Sequence, residues 1–138
     1  MMLSLTTPTD AAFELAQDLQ SATGIVCSAN APAVVDGSSP VCWVTRVGCE
    51  PSGPTAWLHY FDVYVWAGGS DDYGPVVDAL DRLAGAFSAL SDEPPKSGRQ
   101  WRDPTVTNLS DAYVDTTRTS VPRAFFACNA VLHGAARH

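Results

Sequence analysis

Lysine is almost missing from this sequence of 138 residues, with Lys96 the only one. Charged residues of all kinds make up 17% against a hydrophobic fraction of 46%, and the formal net charge is −7. A chain so poor in cations is a weak candidate for gripping nucleic acid, because phosphate contacts need clustered Lys and Arg. An acidic surface is compatible with encircling a duplex, since a negative lumen repels phosphates and lets the duplex slide. Long apolar runs are missing as well. None approaches the roughly 18 residues of a membrane span, so no membrane partner is expected. The first residues lack the basic and apolar regions of a secretory signal. Paired cysteine motifs are absent: Cys27, Cys42, Cys49 and Cys128 are irregularly spaced. Reduced, buried thiols in a cytoplasmic chain are the expectation, with a Cys42–Cys49 disulfide across a hairpin as the alternative. Neither a nucleophile elbow, nor a glycine-rich phosphate loop, nor a histidine pair at metal-ligand spacing occurs. No catalytic residue, metal site or cofactor is therefore expected.

What is there reads as one domain over 1–138. With charge scarce, the surface must be built from Ser, Thr, Gly, Pro and aromatics, which suits permanent contacts. Thr7-Pro8-Thr9-Asp10 opens a helix, with Thr7 as N-cap and Pro8 in the first turn. Ala12, Leu15, Ala16, Leu19 and Ala22 give it an apolar stripe over 8–22, and Gly24 ends it. A short strand is expected at 25–27, a long loop at 29–40, a strand at 41–47 and a hairpin connection at 48–54. The strongest strand is 56–67. A second helix over 73–90 carries Val76, Leu80, Leu83, Phe87 and Leu90, widened by Val77 and Ala84. Gly85 costs that helix about 1 kcal/mol relative to Ala, which hints at close packing. Residues 91–103, with Pro94, Pro95 and Gly98, read as a loop. A short strand is expected at 105–109 and a half-buried one at 122–133, whose apolar positions are Ala124, Phe126, Cys128, Ala130 and Leu132. Residues 134–138 read as a tail. The pattern is α+β, a mostly antiparallel sheet with two helices packed on one face.

The strand 56–67 is apolar on both sides. Trp57, His59, Phe61, Val63 and Val65 form one face and look like core. Leu58, Tyr60, Asp62, Tyr64 and Trp66 form the other, with the composition of a protein interface. Two helices cover one sheet face only, so Tyr60, Tyr64 and Trp66 call for a partner subunit. His59 is more often a core or interface residue than a ligand. Asp62 is a candidate base or the partner of an arginine. Arg123 reads as a surface arginine or as half of an inter-subunit pair with Asp62 or Asp81. Gly68-Gly69-Ser70-Asp71-Asp72 reads as a strand-to-helix turn, since its aspartates would repel an anion. Lys96, Arg99 and Arg102 flank Trp101 in what reads as a protein-contacting loop.

Taken together, the arrangement resembles the tail terminator proteins of long-tailed bacteriophages. The resemblance rests on the opening helix into a strand (8–27) and on Phe61-Asp62-Val63-Tyr64-Val65-Trp66-Ala67 leading into a long helix. The third element is the last strand, opened by Pro122-Arg123. It implies a homo-oligomer, usually a sixfold ring, that caps the tail tube, ends its polymerisation and joins it to the head connector, with no turnover. Tail tube protein and the connector or stopper protein are the implied partners, with DNA passing through the lumen unbound. The implied location is the virion neck, after assembly in the host cytoplasm. Tyr60, Asp62, Tyr64, Trp66 and Arg123 are the expected subunit interface. Val35 and the Asp36-Gly37 pair in loop 29–40, and Arg99, Trp101 and Arg102 in 91–103, are the expected contacts with tube or connector. The competing readings are another head–tail connector ring and a small enzyme or ligand-binding domain using His59 and Asp62.

Overall fold

The computed structural model describes residues 8–53, 55–93, 99–114 and 120–134. Thr7, Pro54, Lys96 with its neighbours over 94–98, and the tail 135–138 lie outside the described residues. Helix α1 (Pro8–Thr23) buries Ala11, Ala12, Leu15, Ala16 and Leu19. Ala22 is exposed, so the stripe stops a turn earlier than its spacing suggested. The helix closes on Gly24, whose φ of +76° is left-handed and whose N–H donates to the Gln20 carbonyl at 2.8 Å. Helix α2 (Gly74–Ser88) buries Val76, Ala79, Leu80, Leu83 and Phe87. Val77 does not widen that stripe: it is 43% exposed and points outward.

The strands are β1 (Val26–Ser28), β2 (Val41–Pro51), β3 (Ala56–Trp66), β4 (Arg99–Leu109), β5 (Tyr113–Val114) and β6 (Pro122–Gly134). They form one sheet in the order β1-β2-β3-β6-β4, with β5 beside β6. Only β1 with β2 is parallel. The fold is thus α+β with a mostly antiparallel sheet. The last strand lies inside the sheet, between β3 and β4. Its period-two set of Ala124, Phe126, Cys128, Ala130 and Leu132 is buried throughout. These side chains share a core with Cys42 and Val44 of β2, with Phe61, Val63 and Val65 of β3, and with both helices. Each fully buried Leu, Val or Phe contributes about 1.5–3 kcal/mol from removal from water alone.

The expected loop over 91–103 is corrected. Leu90–Asp92 form a 3-10 turn, and Arg99–Leu109 form one continuous edge strand. The misleading residues sit at irregularities in that strand. Asp103 has a φ of 51°, and the pairing with β6 slips between Arg102 and Thr105, where Pro104 lies. A bulge on an edge strand tolerates both a left-handed residue and a proline that cannot donate to the ladder. The cysteine alternative is also removed: all four thiols are free. Cys42 and Cys49 lie on the same strand, about 23 Å apart at ~3.3 Å per residue, far beyond bridging distance. A hydrogen bond with the neighbouring Cys27, and after it burial, push the Cys42 thiol up, and burial does the same to Cys128, which makes both poor nucleophiles.

Candidate subunit interface

Both helices pack into the same core on one side of the sheet, so no helix of the described residues covers the opposite side. Register alone decides which residues meet there. Tyr64 of β3 pairs with Trp43 of β2 and with Phe125 of β6, and Trp66 pairs with Arg123. Side chains paired in this way project from the same face. The Tyr64 ring lies 5.2 Å from Trp43, 5.4 Å from Phe125 and 6.2 Å from Trp66, centroid to centroid. These are ordinary distances for favourable aromatic contacts. Sequence reasoning had found the β3 half of this raft. It missed Trp43, Phe125 and Tyr113, which come from other strands and announce themselves only by their own alternation.

Arg123 lies over two of these rings. Its guanidinium carbon is 5.2 Å from the Tyr64 centroid and 4.9 Å from that of Tyr113, its register partner on β5. Both are cation–π distances. No carboxylate of the described residues pairs with it, and its buried Nε has no hydrogen-bond partner. Asp62 sits on the far side of Tyr64, whose hydroxyl points to it at 3.5 Å. Burial, with Asp62 close by, holds the Tyr64 hydroxyl above its usual pKa, and Arg123 pulls the other way. Farther along, the Tyr60 hydroxyl donates to Glu50 at 2.9 Å, which raises its own pKa. Tyr60 is 37% exposed and Asp62, Tyr64 and Arg123 are half-buried, whereas Trp66 is already covered at 8%. The loop 29–40 reaches this end of the sheet, where the Gly68 N–H donates to the Gly37 carbonyl at 3.0 Å.

The other expected contact residues divide. Val35 is half-buried and Asp36 exposed, with the Asp36 carboxylate held low by the backbone N–H and hydroxyl of Ser38. Arg102 is exposed. Trp101 and Arg99 are not in a loop and are not free. Trp101 is 5% exposed, its indole N–H donates to Asp18 at 2.7 Å, and Phe61 meets it edge-on at 6.0 Å. Arg99 pairs with Glu14. Both residues fasten β4 to α1. A cavity of about 190 Å³ opens between these elements and the end of α2, lined in part by Ala86, Leu90 and Glu93.

His59 and Asp62 do not form one site. Three residues apart on a strand, they point to opposite faces. His59 is completely buried on the helix side and both ring nitrogens lack partners, so burial and the Arg46 charge bring its pKa down to about 4. Among the described residues no cluster of His, Cys, Asp and Glu could hold a metal ion. The turn 68–72 spends its own polar groups: the Asp72 N–H donates to the Gly69 carbonyl, and the Asp72 side chain accepts from the Gly74 N–H at 3.0 Å. No helix among the described residues is long and apolar enough to cross a membrane. No protein-family model matches the chain, and no curated protein matches it significantly.

Proposed function

We propose that this protein is a structural component of a virion, a tail terminator that assembles as a homo-oligomeric ring at the head-proximal end of a phage tail tube. The observation that carries the reading is the open sheet face. A sheet face that meets only water alternates toward polar residues. This one presents Trp43, Tyr64 and Phe125 as stacked rings beside Arg123, which has no carboxylate partner, with the partly exposed Tyr60 farther along the strand of Tyr64. Aromatic residues and arginine are the residue types enriched at buried interfaces. A ring of such subunits covers the face of each by the next. The acidic balance suits a lumen through which DNA passes without being held. The function is steric: the ring ends tube growth and meets the head connector through loop 29–40 and Arg102, with no catalytic turnover.

The test is the mass of the purified protein by light scattering over a range of concentrations, alone and with tail tube protein, together with tube length in the electron microscope. A ring-sized oligomer that shortens and caps tubes is expected. A ring that binds a portal-side adaptor and leaves tubes untouched would move the protein to the connector. A strict monomer under both conditions would overturn the reading.

A further inference from the structure

The open face has an unmatched cation, and the outer surface of α2 has unmatched carboxylates. Of the other described arginines, Arg82 donates to the Thr23 carbonyl and Arg99 pairs with Glu14, whereas Arg102 is exposed on the edge strand β4 and Arg46 lies on the helix side of the sheet in register with Phe61. Arg123 is held between two tyrosine rings with nothing anionic to meet. On α2, Val77, Asp81 and Gly85 recur at every fourth residue and so lie along one line of the helix. All three are exposed, and neither Asp81 nor the adjoining Asp78 has an ion-pair or hydrogen-bond partner. Gly85 is the unexplained member. Its backbone is helical, so no left-handed turn requires glycine, and a Cβ placed there meets nothing within 4 Å. The expected close packing around it is therefore missing among the described residues. Glycine in a helix interior costs about 1 kcal/mol, and what it offers in return is close approach of another backbone or a bulky side chain.

We infer that the outer stripe of α2 in one copy of this chain docks on the open sheet face of the next. The partner's Asp81 then meets Arg123, and the partner's Gly85 gives room for the aromatic raft. The inference rests on the ring reading and specifies its contact. Helix α2 is about 22 Å long at ~1.5 Å per residue and fits along the face of β3, which spans about 36 Å at ~3.3 Å per residue. A contact between two different surfaces repeats head to tail, the type of contact from which a ring is built when the rotation between copies closes. The competing arrangement is face to face, with Arg123 meeting the partner's Asp62 twice across a twofold axis. It is less favoured because Asp62 already accepts from Tyr64 and because it leaves the stripe at Val77 and Gly85 bare.

Sedimentation of three single variants tests this, alone and on tube tips. Arg123→Glu and Asp81→Arg should each weaken self-association by at least about thirtyfold, the usual consequence of removing one partner of a desolvated charge pair. Gly85→Leu should also weaken association, yet its unfolding midpoint should not fall, because the space above Gly85 is open. The decisive arm is an equimolar mixture of Arg123→Glu with Asp81→Arg. Each supplies the charge that the other lacks, so oligomers should return in the mixture. Asp81 is exposed, so the Asp81→Arg arm stays informative even if Arg123→Glu misfolds. A wild-type oligomer that Asp81→Arg leaves intact would overturn the pairing and spare the ring. Rescue of Arg123→Glu by Asp62→Arg instead would overturn it in favour of the twofold dimer. A wild-type chain that never associates would overturn both the pairing and the ring.

Discussion

Along β3, His59, Phe61, Val63 and Val65 are sealed beneath the helices, while Tyr60, Asp62 and Tyr64, one residue away from each, keep contact with solvent. The sealed face is finished by the chain itself. Its apolar groups meet α1, α2 and β6 and leave little for a partner to add. The open face is finished mainly sideways: its rings stack on one another and on Arg123, Trp66 is already buried, and no helix of the described residues lies over Trp43, Tyr64 and Phe125, which stay half-buried. The difference teaches that aromatic content does not by itself mark a core. What separates core from interface here is whether a second layer lies on top.

The largest effect that could break this comparison comes from truncating one residue on each side. Phe61→Ala should destabilise the monomer by about 3–5 kcal/mol, through lost burial and a cavity. Tyr60→Ala should cost no more than about 1 kcal/mol in urea unfolding, since Tyr60 is partly in water. Equal losses would mean that the open side is a second core.

Acid should find His59, the one fully buried polar residue among the described residues. The folded His59 has a pKa near 4, against about 6.5 when unfolded. Between those values the unfolded chain takes up a proton that the folded chain refuses. Stability from this group is thus full above pH 6.5, declines as pH falls through the window and levels off below about 4. The total loss is up to about 3 kcal/mol. Unfolding curves across that range should show the slope in the wild type, and His59→Phe should remove that part of it. An unchanged slope in the variant would mean that the imidazole is charged or partnered when folded.

Trp101→Phe sharpens the boundary between β4 and α1. It keeps the apolar ring beside Phe61 and deletes only the donor to Asp18. A loss of about 1.5 kcal/mol is expected in thermal unfolding; none at all would show that β4 holds through its pairing with β6 alone. The smallest effect is a gain. Gly85→Ala should stabilise the monomeric fold by about 0.5–1 kcal/mol, because a methyl group meets nothing there. A loss in dilute, monomeric protein would show that the outer face of α2 is not open.

Much of this was legible before any coordinates. In α2 the spacing of Val76, Leu80, Leu83 and Phe87 fits a helix and no strand, and all four are buried. In β6 strict alternation named every core residue from Ala124 to Leu132. Strand β4 was not legible, because Asp103 and Pro104 are strong local turn signals. Their bulges exist only through pairing with a strand more than twenty residues away. Trp101 followed the same error: beside arginines in a supposed loop it looked like a contact residue, and in a strand it became the side chain that fastens α1 to the sheet.

The sequence by itself determined the class of fold, the two helix stripes, the apolar period of β6 and the unusual doubly apolar character of β3. Those properties follow from short-range periodicity, which any four to eight neighbouring residues express. Only the tertiary structure decided that Trp43, Phe125 and Tyr113 join Tyr64 around Arg123, that His59 and Asp62 are kept apart, and that Gly85 faces open space. Each of those depends on strand order, register and which face the helices choose. These are set by the burial of the whole core at once, and no local stretch of sequence carries them.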